Sequence, residues 1–117
     1  MVAAAATDVS PSRLFYIHDK NTSLQFLVHT GAQVSIIAVH KTEQLRQPSD
    51  LQLQAANGST ITTYGRISLT LSLGLRRSFP WVFIIADIPT SILGIDFLKH
   101  YNLLVDPSTS RLIDKKN

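Results

Sequence analysis

Ile67, Leu69, Leu71 and Leu73 alternate with Ser68, Thr70 and Ser72 until Gly74 breaks the run. Successive side chains of a strand point to opposite faces, so this period of two defines a long strand with one apolar face to bury. Shorter runs of the same kind surround it. Leu14 to Ile17, Leu24 to Val28, Val34 to Ala38, Leu51 to Gln54, Thr60 to Tyr64 and Trp81 to Ile85 each read as strands. Leu103 to Val105 and Arg111 to Ile113 read as short terminal strands. Turn residues separate the runs at intervals of about eight to twelve positions, the spacing of an all-β sandwich or barrel. One segment, Asp96 to Tyr101 after Gly94, has a helical pattern.

A chain of 117 residues supports one domain. Residues 1–12 are small and polar and read as a flexible leader, 13–114 as the domain and 115–117 as a tail. Charged residues make up only 16% of the chain, a low value that points to surface covered by a partner. The net charge of +3 is scattered, without the clustered basic face and interleaved aromatics of a nucleic-acid binder. No run reaches the length of a membrane span, and the N-terminus lacks the basic start and apolar stretch of a signal peptide. With no cysteine there is neither a disulfide framework nor a thiolate metal site. Together these features suggest an intracellular chain. The two glycosylation-type triplets, at Asn21 and Asn57, then read as turn chemistry.

Three segments carry chemistry. Phe26-Leu27-Val28-His29-Thr30-Gly31-Ala32 runs from a strand into a polar turn. Ala55-Ala56-Asn57-Gly58-Ser59 has the Asn-Gly of a tight hairpin. Ile92-Leu93-Gly94-Ile95-Asp96-Phe97-Leu98 leads into the helix. In this order and at these separations they resemble the retropepsins, the single-domain aspartic peptidases of retroviruses and LTR retrotransposons. The Gly94-Ile95-Asp96-Phe97-Leu98 wording is closest to the gypsy-class retrotransposon enzymes. The resemblance implies a closed β-barrel monomer with one short C-terminal helix, functional as a two-fold homodimer, with no cofactor. It also implies a peptide or polyprotein substrate held between a flap at Ala56, Asn57, Gly58 and Ser59 and the loop at Ala32.

At the position of the catalytic Asp this chain has His29. In the family each subunit contributes one Asp, and the two close carboxylates share a proton. One activates water while the other polarises the scissile carbonyl. Thr30 and Gly31 keep the structural parts of the turn: Thr30 is expected to hydrogen-bond across the dimer axis, and Gly31 to allow close backbone approach. An imidazole has no carboxylate oxygens with which to share that proton. Two facing histidines repel when charged and lack the acid–base pairing when neutral. Weak or absent peptidase activity follows. Two imidazoles also fall short of the three protein ligands usual for catalytic zinc, so no metal site is expected. Asp-to-His is a single-base change, which a decayed copy of an element, a cloned inactive variant or a sequence error would each explain. The alternative is a non-catalytic dimerisation or peptide-binding module on the same fold, including one within a host protein.

The remaining candidates have plainer readings. His18, His40 and His100 fall at a strand end, a loop edge and a helix end, where surface or capping roles are expected. Asp96 reads as a helix N-terminal residue that satisfies free N–H groups. Asp87 reads as a strand-end loop residue, and Trp81 as core or groove wall.

Overall fold

The computed structural model describes residues 14–42 and 46–116. The expected leader at 1–12 lies outside the described residues, as do 43–45 of the connection between residues 40 and 50. Among the described residues nine strands and one α-helix follow one another: β1 (Tyr16–His18), β2 (Gln25–Val28), β3 (Ile36–Ala38), β4 (Gln52–Gln54), β5 (Thr60–Leu71), β6 (Phe79–Ala86), β7 (Ile92–Leu93), α1 (Ile95–His100), β8 (Leu103–Asp106) and β9 (Arg111–Asp114). A single 3₁₀ turn, Val39–Lys41, follows β3.

Seven strands hydrogen-bond in the order β1-β2-β7-β3-β6-β5-β4, and β8 and β9 pair separately. Among the described residues the order begins at β1 and ends at β4 without a bond between them. The described residues form a mostly β fold with little helix, in which β4 is three residues long and pairs with β5.

The alternation at 67–73 is realised in burial. Leu71 and Leu73 are buried and Ile67 and Leu69 half-buried, while Ser68 and Thr70 face out. Two expected strands, 60–64 and 67–73, are one strand of twelve residues. The register on β6 shifts between Thr63 and Arg66, where Gly65 has φ +91°. A bulge there lets the strand bend without breaking, and Gly adopts that φ at no steric cost. Residues 34 and 35, expected in a strand, stay outside one; β3 begins at Ile36.

The core lies between β5, β6 and α1. Phe26, Phe79, Phe83, Phe97, Ile37, Leu71 and Ile85 are fully buried, with Phe26 stacked on Phe83 at 5.5 Å between ring centres. Trp81 belongs to this side, its ring edge-on to Phe97 at 5.7 Å. Offset and edge-to-face ring pairs of this kind add to the burial of apolar area.

Strand order positions the site. β7 lies between β2 and β3, parallel to the first and antiparallel to the second. The loop from 29 to 35 joins β2 to β3, so it must pass over the end of β7 and the start of α1.

Candidate functional site

His29 follows directly on β2, and its N–H donates to Leu93 O of β7 at 3.0 Å. The turn closes when Ala32 N–H donates to His29 O at 3.1 Å. Ala32 O then accepts from Ile95 N–H at 2.8 Å, which ties the loop to the first residue of α1. The loop lies directly on Gly94. A Cβ at that position would stand 2.7 Å from Val34 O and 2.8 Å from Ala32 O, so only glycine fits beneath the two carbonyls.

Ser35 and Asp96 lock the far end of the loop. Ser35 N–H donates to Asp96 Oδ2 at 3.1 Å and Ser35 Oγ to Asp96 Oδ1 at 2.7 Å. Gly94 N–H donates in turn to Ser35 Oγ at 2.8 Å. Asp96 Oδ1 also accepts from Phe97 N–H at 2.7 Å, the helix-terminal role expected of it. Its tie to Ser35 across sixty-one residues was not foreseen. A lone Ser inside an otherwise apolar run is the only trace of it in the sequence, since a hydroxyl buried there needs partners.

The His29 ring is exposed but not free. Its Nδ1 accepts from Gly31 N–H at 3.1 Å. A backbone N–H can only donate, so Nδ1 holds the lone pair and the neutral ring carries its proton on Nε2. The ring also crowds Gly31: a Cβ there would stand 2.9 Å from His29 Cε1.

Loop and hairpin tip face each other across a cavity of about 680 Å³. His29, Gly31 and Ala32 line one side and Ala55 and Ala56 the other. Thr30 is not part of this lining. It is exposed and borders a separate depression beside Ile95, Leu98 and Leu104. Asn57, Gly58 and Ser59 are exposed at the tip and outside the lining too. There they build the turn. Ala55 N–H donates to Ser59 O at 2.8 Å and Gly58 N–H to Ala55 O at 2.9 Å. Asn57 Oδ1 accepts from Ser59 N–H at 3.0 Å and from its Oγ at 2.7 Å, an Asx turn that explains the triplet at 57.

The rest of the lining went unread in the sequence. Val34, Ile36, Leu53, Ile61, Ile88 and Ile92 form the apolar wall, with Gln33 and Gln54 as its polar side chains. Apolar residues at strand ends look like ordinary core, so nothing marked them as wall. Apart from His29, the described residues of the lining include no titratable side chain. Among the described residues no three His, Cys, Asp or Glu side chains gather as a metal site, and no helix is long and apolar enough to cross a membrane.

The other histidines lie apart. His18 ends β1, His40 places a ring nitrogen 3.0 Å from Pro89 O, and His100 ends α1 against Trp81 at 5.0 Å. Asp87 is exposed just beyond β6, and its N–H donates to Thr62 O.

A mostly β domain with an Ala-Asn-Gly-Ser hairpin tip opposed to a Thr-Gly-Ala turn, the turn seated on a glycine before a single helix, is the architecture of a retropepsin-like aspartic protease domain. Residues 16–100 match the family model described as "gag-polyprotein putative aspartyl protease", and the chain belongs to that family. Solved structures agree on the fold. EIAV protease in complex with the inhibitor HBY-793 is 20% identical, with a TM-score of 0.58 over 81% of this chain and 92% of that one. The retroviral protease-like domain of Ddi1 from Leishmania major is 20% identical, with a TM-score of 0.66 over 89% and 90%. A retropepsin-like aspartic protease from Rickettsia conorii is 19% identical, with a TM-score of 0.60 over 83% and 88%. No curated protein matches the sequence.

Proposed function

We propose that this is the retropepsin-like domain of a gypsy-class LTR retrotransposon polyprotein, that it works as a two-fold homodimer, and that it holds an extended peptide with little or no cleavage. His29 stands where the family's catalytic Asp is expected, at the loop wall of the cavity.

One observation carries the loss of activity. The single lone pair of the neutral His29 ring, on Nδ1, is already taken by Gly31 N–H at 3.1 Å. Nε2 carries the proton. The ring therefore offers a donor where peptide hydrolysis needs a base to take a proton from water. A pair of such rings across a two-fold axis supplies no shared-proton dyad. The wall around them still suits a peptide: Ala55 and Ala56 of the hairpin line it together with the loop, and the lining is mostly apolar with two amide side chains. Two further features support a dimer. Leu104 and Ile113 of the β8–β9 ribbon and Ile95 of α1 are exposed apolar residues, and among the described residues the ribbon forms a sheet of its own.

The test has two parts. Sedimentation velocity across a dilution series reads the dimer; a monomer at every concentration contradicts it. Incubation of the chain with a mixed peptide pool at acid pH reads the activity. No cleavage above buffer is expected, and pepstatin-sensitive cleavage contradicts the loss of function.

A further inference from the structure

An Asp at position 29 would put negative charge and acceptor oxygens at the loop wall of the cavity. His29 puts an imidazole there instead. Gly31 N–H fixes this polarity, because it occupies Nδ1 at 3.1 Å and leaves Nε2 as the protonated nitrogen. Among the described residues no other side chain of the lining carries charge, and the two polar ones, Gln33 and Gln54, are neutral amides. Each protomer therefore brings one ring that sets the polarity of its side of the groove.

From this we infer that the groove is a receptor for extended peptides that place a carboxylate side chain, Asp or Glu, against His29. The inference rests on the peptide-holding reading of the cavity and adds the class of side chain it selects. A carboxylate that enters an apolar wall without a partner loses its hydration at high cost. Against His29 it meets the N–H donor of the ring, and a hydrogen bond accepted by a carboxylate is charge-assisted. An uncharged amide of the same shape gains no such bond. With Asp at position 29 the preference must reverse, since two close carboxylates disfavour joint ionisation.

The experiment compares two fluorescein-labelled decapeptides of Val, Leu and Ser that differ only in a central Glu or Gln. Fluorescence anisotropy measures their binding to the full chain, to His29→Asp and to His29→Gln. Binding of the Glu peptide to the unaltered chain at least about fivefold tighter than the Gln peptide is expected, as is a preference lost in His29→Gln and reversed in His29→Asp. Equal binding of the two peptides to the unaltered chain overturns this inference and leaves the groove intact. Binding of neither peptide to any of the three proteins overturns the peptide-holding reading with it. Circular dichroism of each variant confirms that the fold is present.

Discussion

Ser35 and Asp96 are joined by two hydrogen bonds, Oγ to Oδ1 at 2.7 Å and backbone N–H to Oδ2 at 3.1 Å, and this pair fixes the loop of His29 to the start of the helix. Ser35 is 1% exposed, and its Oγ is also the acceptor for the buried N–H of Gly94. Ser35→Ala keeps the backbone N–H bond to Oδ2 but removes both bonds made by Oγ, and so orphans the Gly94 N–H. A buried donor left without a partner costs about 1–3 kcal/mol. We expect destabilisation of about 2 kcal/mol, a fall in Tm of about 8 °C for a domain of this size, read by thermal denaturation. An unchanged Tm would show that the pair does not hold the loop.

Gly94→Ala tests the same seat by steric means. The residue has φ −94° and ψ −176°, which any residue adopts, so backbone strain plays no part. The added methyl meets two carbonyl oxygens at 2.7 and 2.8 Å, and both belong to backbone that cannot rotate away. Overpacking of this kind costs about 1–3 kcal/mol. Urea unfolding should show the loss as a lower midpoint with an unchanged slope. Full stability would mean that the loop can lift off β7.

These two residues also mark how far the sequence could be read. The Thr-Gly-Ala turn, the Asn-Gly tip and the glycine before the helix are local patterns, each set by a turn or cap that a few neighbouring residues determine. Each forms a turn, a hairpin tip or a helix start in the structure, because local geometry demands those residue types. The Ser35–Asp96 tie spans sixty-one residues, and no periodicity encodes a contact of that length. The same limit applies to the cavity wall, where Ile88 and Ile92 look like any strand-end apolar residues. Joining 60–64 to 67–73 across Gly65 was missed because a glycine within a strand pattern signals a break and a bulge alike. His29, at the position where the family resemblance leads one to expect Asp, is legible in the sequence. Its consequence for the ring tautomer needed the 3.1 Å bond to Gly31.

Asp19 gives the fold an acid limb. Its carboxylate is fully buried after β1, where burial alone would raise its pKa. The hydroxyl of Thr22 and the N–H groups of Ser72, Asn21 and Thr22 donate to it, and their sum holds the pKa below the ordinary carboxylate value. A folded-state pKa below the unfolded one contributes stability above the unfolded value, and that stability is lost as pH falls through the folded one. Asp19→Asn should thus be less stable than the unaltered chain at pH 7. The gap should narrow below about pH 4, near the ordinary carboxylate range. Urea midpoints at the two pH values read it, and a gap that persists at low pH would refute the assignment.

Arg77 anchors the terminal ribbon. Its Nε donates to Asp114 Oδ2 at 2.7 Å and its Nη2 to Asp114 Oδ1 at 3.0 Å and to Tyr101 O at 2.7 Å. The guanidinium also lies 5.2 Å from the centre of the Phe79 ring. Asp114 is 4% exposed at its side chain, so the pair is held largely out of water on that side. Arg77→Met keeps the apolar stem but removes the charge. We expect a loss of about 2 kcal/mol, below the full value for a buried pair because Arg77 itself is partly exposed. Amide exchange should quicken first in β8 and β9, and uniform protection there would contradict the anchor.

The central claim is that the scaffold is intact and that His29 alone removes the chemistry. The direct measurement is peptide cleavage at acid pH by the unaltered chain and by His29→Asp, side by side and with pepstatin as control. The account predicts no cleavage by the first and pepstatin-sensitive cleavage by the second, higher by at least about a thousandfold. Equal rates in the two proteins, whether both active or both inert, would contradict it.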